Sequence, residues 1–150
     1  MSLATLRTKL NSFADMNRTL SLTLMRMLGS AMFITHGWGK LFGERAQTLG
    51  SGMTSLNIGD VISIPTGINL LFVAGVVEIV GGALLVVGLF TRPLALLAAV
   101  QMLFAYLIAH LAWFPTLNRG EAATLYFLLY FVVFAYGPGP LSLDAMLRKR

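Results

Sequence analysis

The sequence of 150 residues contains no cysteine. Without a thiol, the chain cannot form a disulfide, a thiolate nucleophile or a cysteine-ligated iron–sulfur cluster from its own residues. Charge is also scarce, since 11% of the residues are charged and 57% are hydrophobic, whereas soluble domains carry about 25% charged residues. So little polar surface cannot cover a water-facing globule. The composition therefore argues against a soluble enzyme.

The charged residues are nearly absent from three long stretches. Residues 66–90 contain Glu78 as their single charge, and residues 93–118 and 122–143 contain none. Apolar stretches of about 20 residues are typical of helices that cross a membrane.

We predict an all-α integral membrane protein built as a four-helix bundle. Its spans cover about 20–42, 66–90, 93–114 and 121–136, within a membrane domain of residues 19–140. Residues 1–18 have leucines at helical spacing and are predicted to be an interfacial segment, with a frayed terminus as the alternative. Glycine, serine and threonine mark residues 43–65 as a loop. Residues 141–150 form a short basic tail.

The net charge of +5 comes from basic residues at the chain ends and turns. This placement indicates membrane orientation, and it predicts no nucleic-acid partner. Four spans put both termini on one side of the bilayer, which predicts that this side is the cytoplasm because it holds seven basic residues against three. The seven are Arg7, Lys9, Arg18, Arg92, Arg148, Lys149 and Arg150, and the three are Lys40, Arg45 and Arg119.

Glu78 lies in the middle of the second span, where a charged side chain is costly. Gly75 and Gly82 share its helix face, so another helix can approach closely there. We predict a buried intramembrane pair between Glu78 and Arg26 of the first span. Two roles for this pair stay open. It could only fix the register of the two helices, or it could form a proton or ligand site. Gln101 is predicted to form an interhelical hydrogen bond.

A second polar group lies near the outer ends of the helices. It comprises His36, Lys40, His110, Asn118 and Glu121, which could line one pocket. Three interpretations remain: ordinary anchors at the membrane edge, a small-molecule or quinone pocket, and a haem site with two axial histidines. Haem is the least favoured of these, and no metal site is predicted.

Several motifs follow one another in a specific order over residues 18–146. They are Arg26 with Phe33-Ile-Thr-His36-Gly37-Trp-Gly-Lys40, Glu78-Ile-Val-Gly81-Gly82-Ala-Leu-Leu, Gly88-Leu-Phe-Thr91-Arg92-Pro93, Asn118-Arg-Gly120-Glu121, and Gly137-Pro-Gly139-Pro-Leu-Ser142-Leu-Asp144. In these motifs the chain resembles the DoxX-like family of small bacterial membrane proteins, which includes DoxD-type subunits. Where relatives often have a second glycine, this chain has Arg119, so the shape of that turn is open.

The resemblance implies a multi-pass protein of the bacterial inner membrane, surrounded by the lipid bilayer. Some archaeal relatives belong to a thiosulfate:quinone oxidoreductase, and some bacterial relatives associate with oxidative-stress and thiol-handling proteins. This implies an accessory subunit of a redox-linked, quinone-coupled complex, with a redox protein or a second copy of the chain as partner. Sulfur chemistry would then use a partner's thiols or a bound quinone, because the chain has no cysteine.

Two other functions stay open. One is a small-molecule or proton-coupled transporter in which Glu78 titrates, and the other is a non-catalytic membrane scaffold. Four short helices leave little room for an alternating-access pathway unless the protein oligomerises. The sequence contains no catalytic motif of its own, so whether the chain is an enzyme is left open.

Overall fold

The computed structural model describes residues 2–44, 46–50, 52–58 and 62–148 of a mostly helical chain. Its elements are α1 (Leu3–Phe42), β1 (Ser55–Ile58), β2 (Ile62–Pro65), α2 (Leu70–Val76), a π-helical turn (Val77–Gly81), α3 (Gly82–Val87), α4 (Thr91–Ala109), a 3₁₀ helix (Pro115–Asn118), α5 (Glu121–Tyr136) and α6 (Leu143–Arg148).

Two helical stretches in the described residues are long and apolar enough to cross a membrane. They are Leu70–Val87, which runs from α2 through the π-helical turn to α3, and Thr91–Ala109, which is α4. α5 is also apolar but has 16 residues, and α1 has 40 residues but is less apolar. The two long stretches indicate a membrane protein.

Several helix ends differ from the predicted spans, because the predicted spans 66–90 and 93–114 correspond to helices at Leu70–Val87 and Thr91–Ala109. α1 begins after the capping residue Ser2 and continues without a break to Phe42, so the predicted interfacial segment and the first predicted span form one helix. The predicted loop contains an antiparallel hairpin, in which Ser55 pairs with Pro65 and Ile58 with Ile62. The last predicted span, residues 121–136, coincides with α5.

α1 packs against α2, the π-helical turn, α3 and α5, and α4 packs along α5. Small side chains on α4 allow α5 to approach closely, because alanine adds little width to a helix. The buried apolar side chains are Phe33, Leu85, Ala95, Ala98, Ala99, Met102, Ala123, Tyr130 and Val133. Large apolar side chains also cover the outer surface of the helices, including Leu28, Leu97 and Leu125, as on a surface that meets lipid.

Glycines bring α1 into backbone contact with the helix that follows the hairpin. A Cβ atom added at Gly37 would lie 2.7 Å from the Gly75 carbonyl oxygen and 2.8 Å from the Glu78 Cβ. A Cβ added at Gly82 would lie 2.8 Å from the Ile34 Cγ1. The two helices therefore touch along a stretch that includes Glu78.

The C-terminal segment folds back to hold the turn between α3 and α4. Both carboxylate oxygens of Asp144 accept hydrogen bonds, from the backbone N–H groups of Phe90 (2.9 Å) and Thr91 (2.8 Å). Burial alone would raise the pKa of Asp144, but these hydrogen bonds and the nearby Arg148 outweigh it and lower the pKa below its ordinary value. Asp144 thus acts as an N-terminal cap for α4 in place of a local residue.

Candidate functional site

Glu78 is 1% exposed and forms a buried polar centre with residues from two other helices. The Lys40 ammonium donates to its Oε1 as an ion pair. The Gln101 amide donates to the same oxygen at 2.8 Å, and also to the Ala74 carbonyl at 3.4 Å. These contacts tie α1, the π-helical turn and α4 together, and they confirm the interhelical role of Gln101.

The local backbone explains how Glu78 reaches these partners. The π-helical turn Val77–Gly81 widens the helix at this residue, and such turns occur frequently at functional sites. Gly37 and Gly75 remove the side chains that would otherwise separate the two backbones. Lys40 then enters from the last turn of α1, with 31% of its side chain exposed.

Arg26 is as buried as Glu78, but it has other partners. Its guanidinium donates to the backbone carbonyls of Leu85, Val86 (2.7 Å) and Leu141 (2.7 Å). The structure therefore replaces the predicted Arg26–Glu78 pair with the Lys40–Glu78 pair. Arg26 instead joins the end of α3 to the C-terminal segment.

The antiparallel register of the two helices gives the reason. Gly37 of α1 lies beside Glu78, and eleven residues separate Arg26 from Gly37, which is about 16 Å of helix. Arg26 consequently lies at the level of Gly88, where a Cβ would be 2.8 Å from its Nη1. Gly88 ends α3 with φ of 72°, a conformation that favours glycine.

A cavity of about 480 Å³ lies beside the Glu78 pair. Apolar side chains of α2 and α4 form most of its wall, and the hairpin region adds Met53 and Leu56. Its polar lining residues are Lys40, Gln101 and His110. Lys40 and Gln101 are the two residues that bind Glu78 Oε1, so the cavity meets the buried polar centre through them.

His110 ends α4, and its ring contacts a backbone carbonyl of the following turn. Its Nδ1 lies 2.9 Å from the Asn118 carbonyl oxygen. A carbonyl can only accept, so Nδ1 donates this hydrogen bond, and whenever the ring is neutral Nε2 is left as an acceptor. The turn that supplies this carbonyl ends at Arg119 with φ of 54°, the conformation that a glycine would adopt more easily.

The structure brings together only part of the predicted outer pocket. Lys40 and His110 line the cavity, whereas His36, Asn118 and Glu121 are exposed and are not among its lining residues. His36 instead packs edge-on against the Tyr126 ring, with 5.5 Å between the ring centroids. Asn118 contributes its backbone carbonyl, and Glu121 lies in the first turn of α5.

The remaining motif positions lie away from the cavity or act through close packing. Gly37 and Gly82 face the contact between α1 and the following helix, whereas a Cβ at Gly81 would meet nothing nearer than Val77 at 3.8 Å. Arg92 is exposed in the first turn of α4, with its Nη2 3.5 Å from the Ala135 carbonyl.

The sequence patterns missed the π-helical turn and the contribution of the hairpin region to the cavity. Nothing in the spacing of apolar residues over 66–90 signals an extra residue in one turn. The hairpin strands are four residues each, too short to show a clear alternation within a glycine-rich loop.

Comparison with known proteins places these residues in a family. The DoxX family model matches residues 21–111, a range that contains Arg26, Lys40, Glu78, Gln101 and His110. An uncharacterized protein of Haemophilus influenzae (strain Rd) is 38% identical over 135 residues, which cover 86% of this chain and 92% of that protein. No solved structure shows a significant match. The chain belongs to the DoxX family.

Proposed function

We propose that the chain is an accessory subunit of a redox-linked inner-membrane complex and that it binds a quinone in the cavity. The observation that carries this proposal is the apolar cavity of about 480 Å³ whose polar lining residues are Lys40, Gln101 and His110. Ligand pockets of this size are mostly apolar with a few placed polar groups. A quinone has matching parts, an apolar ring and tail with two carbonyl oxygens.

The polar lining residues can bind both the oxidised form of the ligand, the quinone, and its reduced form, the quinol. The Lys40 ammonium has three N–H donors, and Glu78 accepts one of them, so a donor remains for a quinone carbonyl. His110 Nε2 is an acceptor, which suits the hydroxyl of a quinol. The quinone itself supplies the two-electron, two-proton chemistry when bound. The chain supplies the apolar wall and the hydrogen bonds that orient the ring.

The absence of cysteine supports an accessory role. Because the chain has no cysteine, a thiol or an iron–sulfur cluster that donates electrons must belong to a partner protein. The partner therefore performs the sulfur or thiol chemistry, and this chain holds the membrane-soluble electron carrier.

The membrane arrangement belongs to the same proposal. α1, the Leu70–Val87 stretch, α4 and α5 are the four spanning helices, with both termini in the cytoplasm of a bacterial cell. Exposed large apolar side chains on all four support it, as does the excess of basic residues at the termini and the Arg92 turn. An alkaline phosphatase fused after Arg150 should then be inactive, and a green fluorescent protein at the same place should fluoresce. The opposite pattern would refute this topology.

The ligand is tested first on protein purified in mild detergent. Native mass spectrometry and solvent extraction should recover a quinone, and a short-chain ubiquinone analogue should bind the quinone-stripped protein in a calorimetric titration. Ala109→Phe should fill the cavity and abolish binding, whereas Ala122→Phe, at an exposed position on α5 outside the cavity lining, should leave it unchanged.

A second pair of variants tests the hydrogen bond from Lys40. Lys40→Met should weaken binding by about tenfold to a hundredfold, the range for loss of a charge-assisted hydrogen bond. Lys9→Met removes the same charge from an exposed position near the N-terminus and should have no effect. No binding to the unaltered protein, or equal loss in each variant and its control, would rule the quinone site out.

A proton-coupled transporter is the second candidate. The observation that favours it is the buried Glu78 carboxylate, since intramembrane carboxylates often relay protons. Proton flux in liposomes that Glu78→Gln abolishes, together with no quinone binding, would favour this candidate over the first.

A further inference from the structure

Of the five buried side-chain oxygen atoms without a well-formed hydrogen bond in the described part of the chain, four lie in one region. They are Glu78 Oε2, Ser30 Oγ and the hydroxyls of Tyr126 and Tyr130. Buried polar groups without a partner are rare in native proteins and call for an explanation such as ordered water. Here the unpartnered carboxylate oxygen belongs to the same residue whose other oxygen binds Lys40 and Gln101.

Ring packing and electrostatics place these groups together. The Phe33 ring contacts both tyrosine rings, with centroids 5.6 Å from Tyr126 and 4.9 Å from Tyr130, and the tyrosine rings stack at 6.2 Å. Glu78 acts electrostatically on both tyrosine hydroxyls, and the Ser30 hydroxyl lies close enough to that of Tyr130 for a weak side-chain hydrogen bond. The four oxygens therefore face one region between α1, the π-helical turn and α5.

The chemistry of this region suits water. A carboxylate oxygen only accepts hydrogen bonds, whereas the hydroxyls of serine and tyrosine both donate and accept. A buried water typically makes about three hydrogen bonds to such groups. One end of the region reaches the protein surface, because Tyr126 packs against the exposed ring of His36.

We propose that Ser30, Tyr126, Tyr130 and Glu78 Oε2 enclose a site for ordered water, and that this site passes protons between Glu78 and His36. Glu78 then contacts the cavity-lining residues Lys40 and Gln101 through Oε1 and the water site through Oε2. The proton moves along hydrogen bonds from a donor hydroxyl or water to the next acceptor, with no change in redox state. The site stands independently of the quinone proposal, because it requires no ligand in the cavity.

Hydrogen–deuterium exchange at Glu78 tests the proton path directly. In Lys40→Met the Glu78 carboxyl group loses its ion-pair partner, and acidic pH is used so that the measurement is made on the protonated carboxyl group. Its infrared carbonyl band, measured at acidic pH and assigned by its absence from Lys40→Met/Glu78→Gln, should shift after transfer to deuterated water. Adding Tyr126→Phe or Tyr130→Phe should slow this shift by about tenfold or more, as expected for loss of a positioned proton-transfer group.

Tyr106→Phe in the same Lys40→Met background is the matched control. Its hydroxyl donates to the Ala112 carbonyl and takes no part in the cluster, so exchange at Glu78 should keep its rate. Equal exchange rates in all three tyrosine variants, or absence of the assigned band, would overturn the proton path.

The thermal stability of Tyr126→Phe in the otherwise unaltered protein tests the water site, because the Tyr126 hydroxyl has no hydrogen bond to another side chain. If water bonds the hydroxyl, its removal should lower the Tm by about 2–4 °C, the effect of one lost hydrogen bond in a chain of this size. A hydroxyl that is buried without any partner gives the opposite sign, since replacing it with hydrogen removes an unsatisfied group. An unchanged or raised Tm would therefore overturn the water site, whether or not the protein binds a quinone.

Discussion

Gly37→Ala should destabilise the contact on which the Glu78 centre depends. The added Cβ would lie 2.7 Å from the Gly75 carbonyl oxygen, 2.8 Å from Glu78 Cβ and 2.8 Å from Ile79 Cγ1. Two of these three atoms are backbone or Cβ atoms, which cannot swing away, so the helices must separate by several tenths of an ångström. Overpacking of this kind costs about 1–3 kcal/mol.

Gly39→Ala is the control that isolates this cost. Gly39 is exposed two residues further along α1, and a Cβ there would meet no atom within 4 Å. Both substitutions gain about 0.5–1 kcal/mol from the better helix propensity of alanine. The difference in unfolding free energy between the two variants therefore contains no helix-propensity contribution and measures only the cost of the close contact at Gly37.

The assay is thermal unfolding of both variants in mild detergent, followed by circular dichroism. A difference of about 1–3 kcal/mol corresponds to about 2–12 °C for a chain of this size, with Gly37→Ala as the less stable variant. If Gly37→Ala unfolds at or above the temperature of Gly39→Ala, the close approach of α1 to the π-helical turn is refuted.

Three further predictions concern the other buried or capping charges. Lys40→Met should lower the Tm, because it leaves the Glu78 carboxylate without a cation. Lys40→Met/Glu78→Leu should recover part of this loss, since replacing both members of a buried ion pair costs less stability than removing one of them. Equal Tm values for the single and double variants would contradict this prediction. Arg26→Lys should speed proteolysis of the C-terminal segment, because one ammonium cannot bond the Leu85, Val86 and Leu141 carbonyls together. Cleavage at the rate of the unaltered protein would show that Arg26 does not hold this segment. The pKa of Asp144 lies below its ordinary value of 3.8, so its stabilising effect is complete above that value and is lost as the pH falls through the lower folded pKa. Tm measured from about pH 5 to pH 2 should therefore fall more steeply for the unaltered protein than for Asp144→Asn, and parallel curves would exclude this role.

Much of the helical framework follows from local signals in the sequence. The apolar stretches and the glycine- and proline-rich run after Tyr136 predict where the helices lie, and α5 occupies the predicted residues. The predicted break at Thr91-Arg92-Pro93 is wrong in position, since α4 begins at Thr91, and α4 ends at Ala109 instead of Phe114. The burial of Glu78 also follows, because a lone carboxylate among apolar residues and glycines has to face another helix.

The partners of the buried charges follow only from the tertiary structure. Spacing within one helix says which residues share a face, but it does not give the register between two helices. Here the register puts Lys40 beside Glu78, whereas Arg26 lies at the end of α3 with the C-terminal segment folded over it. A change of register between two antiparallel helices changes which residues face each other along their whole length. The cation that pairs with Glu78 could therefore not be identified from the sequence.

The helical character of the protein, its membrane character and the need to bury one carboxylate can all be read from the sequence, because apolar runs and isolated charges are properties of the chain alone. Only the tertiary structure decided which cation meets Glu78, which residues line the cavity and which hydroxyls surround the second carboxylate oxygen. Each of these depends on distances between elements far apart in the chain, and such distances are set by how glycine contacts, the π-helical turn and the folded-back C-terminus pack together.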